Sequence, residues 1–339
     1  MIIRIAAFTA EGFELAHRIK NILSSDVVEI KTENQTLKSF VREAFEINML
    51  LIFIGAAGIA VRSIAPFISD KLTDSPVIVL DESGKYVIPL LSGHVGAANE
   101  IALCLSDKLN AVPVITTATD THGLFSVDVF ARRNGFRIIN RDGIKEVSSK
   151  LLRTGKICVS ISPETAFEKS DIPEEIEIVD YPPENYCDVI IGCEEKYFSR
   201  ASLALFPKKY VLGIGCKKNT DRSKISEAVK KLLSEKNICI DDIWMLASID
   251  LKAGEYGLLC YASMHHLPFI TFSAKELEKA EGKFSESEFV RSVTGVSNVC
   301  ERAAVLCAKC GKLISPKYAK DGVTLAVAQR NIRIDKWKS

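Results

Sequence analysis

Over the first third of the chain, short apolar runs alternate with stretches whose apolar residues recur every three or four positions. That alternation predicts strands joined by crossover helices, the pattern of a parallel-rich α/β sheet. IIRIAAFT opens as a strand, and EGFELAHRIKNIL follows with Phe13, Ala16, Ile19, Ile22 and Leu23 on one helical face. VVEIK, a helix around LKSFVREAFE and the nearly continuous apolar run MLLIFIG come next, the last suited to a strand covered on both faces. GAAGIAVRSIAPFI reads as a tight turn and a helix that stops near Pro66, and PVIVLDESGKYVIPLL as a hairpin turning at Glu82-Ser83-Gly84-Lys85. GAANEIALCLSDKLN predicts a helix with Ile101, Leu105 and Leu109 as its buried row, and PVITTATD a strand running out into polar residues.

The rhythm changes at a basic interval, Arg132, Arg133, Arg137 and Arg141. A helix near GIKEVSSKLLRTG, strands ICVSIS and VIIGC, and an acidic stretch punctuated by Pro173, Pro182 and Pro183 follow. From Lys209 the α/β alternation resumes with YVLGIG (strand), DRSKISEAVKKLLSEK (helix), MLASID (strand), LKAGEYGLLCYASMHH (helix) and PFITF (strand). Two helices come after, the second running through NVCERAAVLCAK, and then a hairpin turning at Lys320-Asp321-Gly322. The expected architecture is an N-terminal parallel-sheet α/β domain over residues 1–131, a small α/β linking module over 132–208, and a C-terminal α/β domain with a terminal hairpin over 209–339.

Composition narrows the function classes. With 44 Lys+Arg against 43 Asp+Glu the net charge is +1, which excludes a coat for nucleic acid and wholesale adsorption to an anionic membrane. An anionic ligand must then be met by a local cluster of donors. No apolar run reaches the roughly 18 residues of a bilayer span, and the opening MIIRIAAFTAEGFELA lacks the features of a secretion signal, so a cytoplasmic location is expected. The ten cysteines read accordingly as reduced thiols. Cys307-Ala-Lys-Cys310 has no second pair to complete a zinc site, whereas Cys300, Ala303, Ala304 and Cys307 share one helical face, with Cys310 at its edge. That stripe predicts helix packing over metal or redox chemistry.

The stretch from Pro89 to Asp120 concentrates groups able to do chemistry. A strand ends in Ser92-Gly93-His94, Gly93 and Gly96 permit tight backbone geometry, and a helix begins near Ala97. Ligands of open α/β sheets sit where strand ends meet helix N-termini, whose amides can hold an anion. His94 supplies a base near neutral pH, Glu100 or Asp120 could orient it, and Ser92, Asn99, Thr116, Thr117 and Thr119 add polar side chains. The plainer reading, equally open on spacing, is that Ser92 and Asn99 cap a helix and His94 is a satisfied turn residue.

Gly55-Ala-Ala-Gly58, with Arg62 beyond it, follows a buried strand but lacks the G-x-G-x-x-G fingerprint; it reads as a place where backbone approaches a ligand and Arg62 grips a carboxylate. Gly213-Ile-Gly215 repeats the theme without a P-loop, and Thr294-Gly295-Val296-Ser297 is read as a donor-rich helix start. Glu301 in the following turn suits the helix dipole, and His265-His266 a helix C-terminus.

GAAGIAVRSIAPFISDKLTDSPVIVLDESGKYVIPLLSGHVGAANEIA and PVITTATD, with LGIGCKKNT, TGVSNVCERAA and the TLAVAQR hairpin further on, resemble the CbiG family of cobalamin-biosynthesis proteins, the cobalt-precorrin-5A hydrolases. The resemblance spans the chain and gives it a CobE-like C-terminal domain. One departure is Ala97, where a second glycine often follows Gly96. The resemblance implies a cobalt-corrinoid substrate whose ring-A δ-lactone is opened by water with loss of acetaldehyde, and no cofactor, the cobalt travelling with the substrate. It implies other corrin-pathway enzymes or a second copy of the chain as partners, and neither nucleic acid nor membrane. Lactone opening needs a base and oxyanion donors, which assigns His94 as base, oriented by Glu100 or Asp120. The expected binding residues are Gly55, Gly58, Arg62, Ser92, Gly93, Gly96, Asn99, Thr116, Thr117, Gly213, Gly215, Thr294 and Gly295. A non-catalytic corrinoid carrier is the alternative.

Overall fold

The computed structural model describes residues 1–70, 72–93, 96–117, 124–309 and 311–337. They form two compact units, residues 1–117 with 254–266 and residues 118–253 with 267–339. The first is built on a six-stranded sheet of order β2-β1-β3-β4-β5-β6. Its strands are β1 (Ile2–Ala7), β2 (Val27–Ile30), β3 (Leu50–Ile54), β4 (Val77–Leu80), β5 (Tyr86–Leu91) and β6 (Val112–Pro113). The strands from β2 to β4 run parallel, β5 is antiparallel to β4, and β6 is parallel to β5.

β1, β3 and β4 are buried along their whole length, as their unbroken apolar sequences require. The connections are α1 (Ala10–Ile22), α2 (Leu37–Ile47), α3 (Ala57–Ile64) and α4 (Ala98–Leu109). α1 starts where Thr9 Oγ1 accepts the Gly12 amide at 3.2 Å. It packs Leu15, Ala16 and Ile19 into the core that Ala98, Ala102 and Leu105 of α4 also enter. The hairpin between β4 and β5 forms as read, with Gly84 at φ +68° and the Tyr86 amide donating to Asp81 Oδ1 at 2.7 Å.

In the second unit, α5 (Val127–Asn134), β7 (Phe136–Ile138), α6 (Asp142–Thr154), β8 (Ile157–Ile161), β9 (Ala166–Phe167), β10 (Ile176–Val179), β11 (Cys187–Ile191) and β12 (Ala201–Pro207) come first. They build a sheet of order β10-β8-β11-β12-β7, parallel except at β7. Five of these elements, α5, β7, β9, β10 and β12, are not evident from the pattern. In α5 the pair Arg132 and Arg133 looks like the start of a polar linker but forms the last turn of a helix, where cations complement the dipole. In β12, Ala201–Pro207, a strand runs up to a proline, a residue that ordinarily breaks the pattern of a strand.

The second sheet of this unit has the order β15-β14-β13-β17-β16. It is assembled from β13 (Tyr210–Cys216), α7 (Arg222–Glu235), β14 (Ile243–Ile249), α8 (Tyr256–Met264), β15 (Phe269–Phe272), α9 (Ala274–Glu278), α10 (Glu288–Thr294), α11 (Cys300–Cys307), β16 (Lys312–Lys320) and β17 (Val323–Gln329). The predicted terminal hairpin turns on Asp321 (φ +49°) and Gly322 (φ +83°), the two positive φ values of a type I′ turn. β18 (Arg333–Ile334) pairs with β9, and Trp337 stacks on Phe130 at 5.2 Å, so the chain's end returns to the sheet of β7 to β12.

α8 is the exception to chain order. It lies between β14 and β15 in sequence but belongs to the first unit. There Ser263 Oγ donates to the Asn48 carbonyl at 2.6 Å, and Asn48 Nδ2 lies 2.8 Å from His266 Nδ1. The His265-His266 pair thus closes a helix, and His266 serves as a docking contact.

Candidate functional site

β5 runs antiparallel to β4, so the chain leaves it beside the start of β4, and Ser92 Oγ donates to the Asp74 carbonyl at 2.7 Å. Asp74, buried, is itself fixed by the Ser69 amide at 3.0 Å and the Ser69 hydroxyl at 3.1 Å. Sequence reasoning did not single out Asp74; the hairpin register, which sets the end of β5 against the start of β4, is the signal that finds it. Two non-glycine residues flank the following turn in the left-handed region, Ser92 at φ +54° and Ala97 at φ +62°. Each costs about 1 kcal/mol or more relative to an ordinary backbone, and such strain persists only where surrounding contacts over-determine it.

Those contacts are present. The Ala98 and Asn99 amides turn back onto the carbonyls of Ser92 (3.3 Å) and Gly93 (3.0 Å). A Cβ on Gly93 would stand 2.5 Å from Asn99 Oδ1, and one on Gly96 would stand 2.8 Å from Ser92, so both positions require glycine. Asn99 is 7% exposed and its Nδ2 donates to Thr117 Oγ1 at 3.1 Å, joining the start of α4 to the chain beyond β6. α4 has no side-chain cap; Ala97 occupies the N-cap position. Glu100 is exposed in its first turn, and Thr116 is exposed beside Thr117. His94, Thr119 and Asp120 lie outside the described residues.

The Gly55 turn lies at the other end of the sheet. Gly55 (φ +142°) donates its amide to the Leu80 carbonyl at 2.8 Å, at the far end of β4 from Asp74. β4 spans four residues, about 10 Å at roughly 3.3 Å per residue, and both turns lie beyond its ends. The Phe8 ring covers Gly55, and the exposed Arg62 guanidinium folds back over Gly58 without a hydrogen bond or ion pair among the described residues. The hairpin, by reversing chain direction, therefore separates two glycine turns that the sequence presents as one theme.

The glycines of the second unit have structural work. Gly213 is buried in β13, where a Cβ would stand 1.9 Å from the Cys300 carbonyl, so the close approach of α11 requires glycine there. A Cβ on Gly215 would meet Thr324 Oγ1 at 2.7 Å. Thr294 and Gly295 end α10, with Gly295 as a left-handed C-cap (φ +82°) and Thr294 Oγ1 donating to the Val290 carbonyl at 2.8 Å. They were expected to open a helix, and the correction follows from the separate short helix that precedes them. Glu301 is 1% exposed and accepts from the Ser285 amide (2.7 Å), Asn298 Nδ2 (2.9 Å) and the Lys317 amide (2.6 Å), a fuller role than dipole complement.

Cys300, Ala303, Ala304 and Cys307 all face the core, as the stripe predicts. Burial pushes the Cys300 thiol up to about 11 and the Cys307 thiol up to about 12, which keeps both protonated at neutral pH. Cys310 lies outside the described residues. Among the described residues no group of three or more His, Cys, Asp or Glu side chains could hold a metal ion, and no helix is long and apolar enough to cross a membrane. In the sheet of β7 to β12, Lys150 Nζ holds both oxygens of Asp188 at 2.7 and 2.8 Å, and the Cys158 amide donates to Asp188 Oδ2 at 2.8 Å.

Comparison with known proteins adds the chemical context. The family described as "Cobalamin synthesis G N-terminal" matches residues 39–120, which contain both glycine turns of the first unit, and "Cobalamin synthesis G C-terminus" matches residues 210–328. The cobalt-precorrin-5A hydrolase of Salmonella typhimurium is 35% identical over 294 residues, 84% of this chain and 83% of that protein. The cobalt-precorrin-5A hydrolase of Priestia megaterium is 29% identical over 351 residues, covering 96% of this chain and 94% of the relative. Protein CobE of a Sinorhizobium species is 29% identical over 120 residues, 35% of this chain and 78% of CobE.

Proposed function

The chain belongs to the cobalamin synthesis G family and acts as a cobalt-precorrin-5A hydrolase, and we propose that it opens the ring-A δ-lactone of its substrate with water and releases acetaldehyde. The family relationship names the substrate. What supports assigning the chemistry to the turn from Ser92 to Asn99 is that Ser92 and Ala97, both non-glycine, hold left-handed backbone there among specific contacts. Strain of this kind concentrates at reacting sites.

Hydrolysis of a lactone requires a base to take a proton from water, and donors for the oxygen that gains charge in the tetrahedral intermediate. His94 takes the first role, oriented by Glu100 or Asp120. The amides between Gly93 and Ala97 take the second, because those of Ala98 and Asn99 are already committed to the Ser92 and Gly93 carbonyls. The hydroxyl freed by ring opening then loses its proton as the carbon–carbon bond to the macrocycle breaks. The electron pair of that bond passes into the conjugated ring, and the expelled two-carbon unit leaves as acetaldehyde.

Thr116 and Thr117 supply hydroxyls for the carboxylates around the macrocycle, Thr116 being the exposed one, whereas the Ser92 hydroxyl is given to the Asp74 carbonyl and serves the turn itself. Arg62 with Gly55 and Gly58 serves a different part of the ligand, since it stands at the opposite end of the sheet from the reacting turn. Cobalt enters and leaves with the corrinoid, no further cofactor is needed, and the enzyme works in the cytoplasm. The test is acetaldehyde release from cobalt-precorrin-5A by purified wild-type and His94→Ala proteins. Loss of a general base lowers turnover about 100-fold or more; a His94→Ala protein within a few-fold of wild type removes His94 from the mechanism. Stoichiometric corrinoid binding without acetaldehyde from the wild type leaves the carrier reading.

A further inference from the structure

Asn99 stands where three separate pieces of the first unit meet: the turn that leaves β5, the first turn of α4 and the chain that leaves β6. Its side chain is almost wholly buried, at 7% exposure. Its Nδ2 is committed to Thr117 Oγ1 at 3.1 Å. Its Oδ1 occupies the space over Gly93, 2.5 Å from where a Cβ would stand, and its backbone amide holds the Gly93 carbonyl at 3.0 Å. One face of the amide group is therefore packed on Gly93 while its nitrogen is held by Thr117. The other flank of the same turn is fixed by Ser92 on Asp74, at 2.7 Å, and by Gly96 against Ser92 and Pro76.

We infer that Asn99 is a positioning residue, which holds the turn after β5 and Thr117 beyond β6 in one geometry and acts on turnover through that turn instead of gripping substrate carboxylates. A grip would need an exposed amide with a donor to spare; a buried amide packed over Gly93 is suited to keeping a strained turn from relaxing. The effect on turnover rests on the hydrolysis proposed above, whereas the effect on the geometry does not.

Gly93 provides the partner for a double-mutant cycle, because Gly93→Ala pushes on the same amide from the other side while its own backbone φ is outside the left-handed region. Asn99→Ala and Gly93→Ala are each expected to lower kcat by about 100-fold, the scale of a misplaced catalytic group, with KM within about threefold of wild type. Asn99→Ala with Gly93→Ala should be no worse than either alone, since the space vacated by the amide admits the new methyl group. A KM that rises with kcat intact, or two single effects that multiply in the double variant, overturns the assignment. Hydrogen exchange of the folded proteins supplies a readout independent of substrate. In Asn99→Ala the amides of Gly93, Gly96 and Ala97 and those near Thr117 should all exchange faster, by about tenfold. Exchange unchanged in either segment overturns the assignment whatever the activity, and an inactive wild type with the expected exchange overturns only the proposed hydrolysis.

Discussion

Glu301 Oε1, buried in the first turn of α11, accepts the backbone amide of Lys317 in β16 at 2.6 Å, while its Oε2 takes the Ser285 amide and the Asn298 side chain. One carboxylate thus fixes a helix, a strand and the segment between α9 and α10. Glu301→Ala leaves several buried donors unpaired and is expected to cost about 3 kcal/mol or more of stability. Glu301→Gln retains an acceptor oxygen and should cost less. Urea unfolding of the two variants checks the order; equal costs would show that charge, not donor satisfaction, is what matters.

Gly213 and Gly155 offer a paired test of why a glycine is needed. At Gly213 a Cβ would stand 1.9 Å from the Cys300 carbonyl, whereas at Gly155 (φ +70°) nothing lies within 4 Å. Gly213→Ala must force α11 off the sheet and is expected to destabilise by more than about 2 kcal/mol. Gly155→Ala meets only the left-handed backbone penalty, about 1 kcal/mol. The midpoints of thermal or urea unfolding should separate the two.

Ala97 yields a prediction of opposite sign. It holds φ +62° at the start of α4, so Ala97→Gly removes a left-handed alanine. Its stability should be unchanged or higher by up to about 1 kcal/mol, where the same substitution inside a helix would lower it. A clear loss of stability in calorimetry would mean that the Ala97 methyl group is held by contacts worth more than the strain.

The buried thiols set an alkaline limit. Burial raises Cys187 and Cys300 to about 11 and Cys307 to about 12, above the roughly 8.5 of an unfolded cysteine. The folded state therefore holds these protons more tightly than the unfolded state. Their contribution is complete below about pH 8.5 and is lost as pH rises through 11 to 12. Unfolding midpoints at pH 7.5 and 10 should fall in that order, and Cys300→Ala with Cys307→Ala should reduce the difference. Iodoacetamide at pH 8, followed by mass spectrometry, should label the exposed Cys104 and Cys239 and leave Cys300 and Cys307 unmodified.

Asp188 sets the corresponding acid limit. Burial alone would raise its pKa, but the Lys150 ammonium and the Cys158 amide outweigh that and hold it below the usual carboxylate value. A depressed folded value gives stability above the unfolded pKa of about 3.9, lost as pH falls through the folded one. Lys150 is 41% exposed, so Lys150→Met should cost only about 1 kcal/mol at pH 7. That cost should shrink as pH approaches 3; a pH-independent cost would make packing of the lysine stem the cause.

Much of this architecture could be read from the residues. The alternation of apolar runs, the hairpins at Gly84 and at Asp321-Gly322, and the small-residue stripe of α11 rest on local rules of periodicity and turn geometry and appear where the pattern puts them; PVITTATD does not, since β6 ends at Pro113 and residues 114–117 are not strand. α5 and β12 escape because a tertiary contact, not a local pattern, makes them; Phe130 of α5 is held by Trp337 from the chain's end. The site divides in the same way. Gly93 and Gly96 announce a tight turn, yet that Asn99 is their packing partner and Asp74 their strut depends on which strand ends lie side by side. The reversal of direction at β5, which parts the Gly55 turn from the Gly93 turn, follows from the hairpin once the carboxyl-end rule is applied strand by strand.

The placement of α8 bears on how the protein can be divided. A cut at residue 208, where the sequence changes rhythm, would deprive the N-terminal piece of the helix that covers Asn48 and would leave the C-terminal piece with an apolar helix, Tyr256–Met264, severed from its proper bed. The first unit thus needs residues from both halves of the chain, and a gene fragment ending at residue 208 should unfold at lower urea than the whole chain.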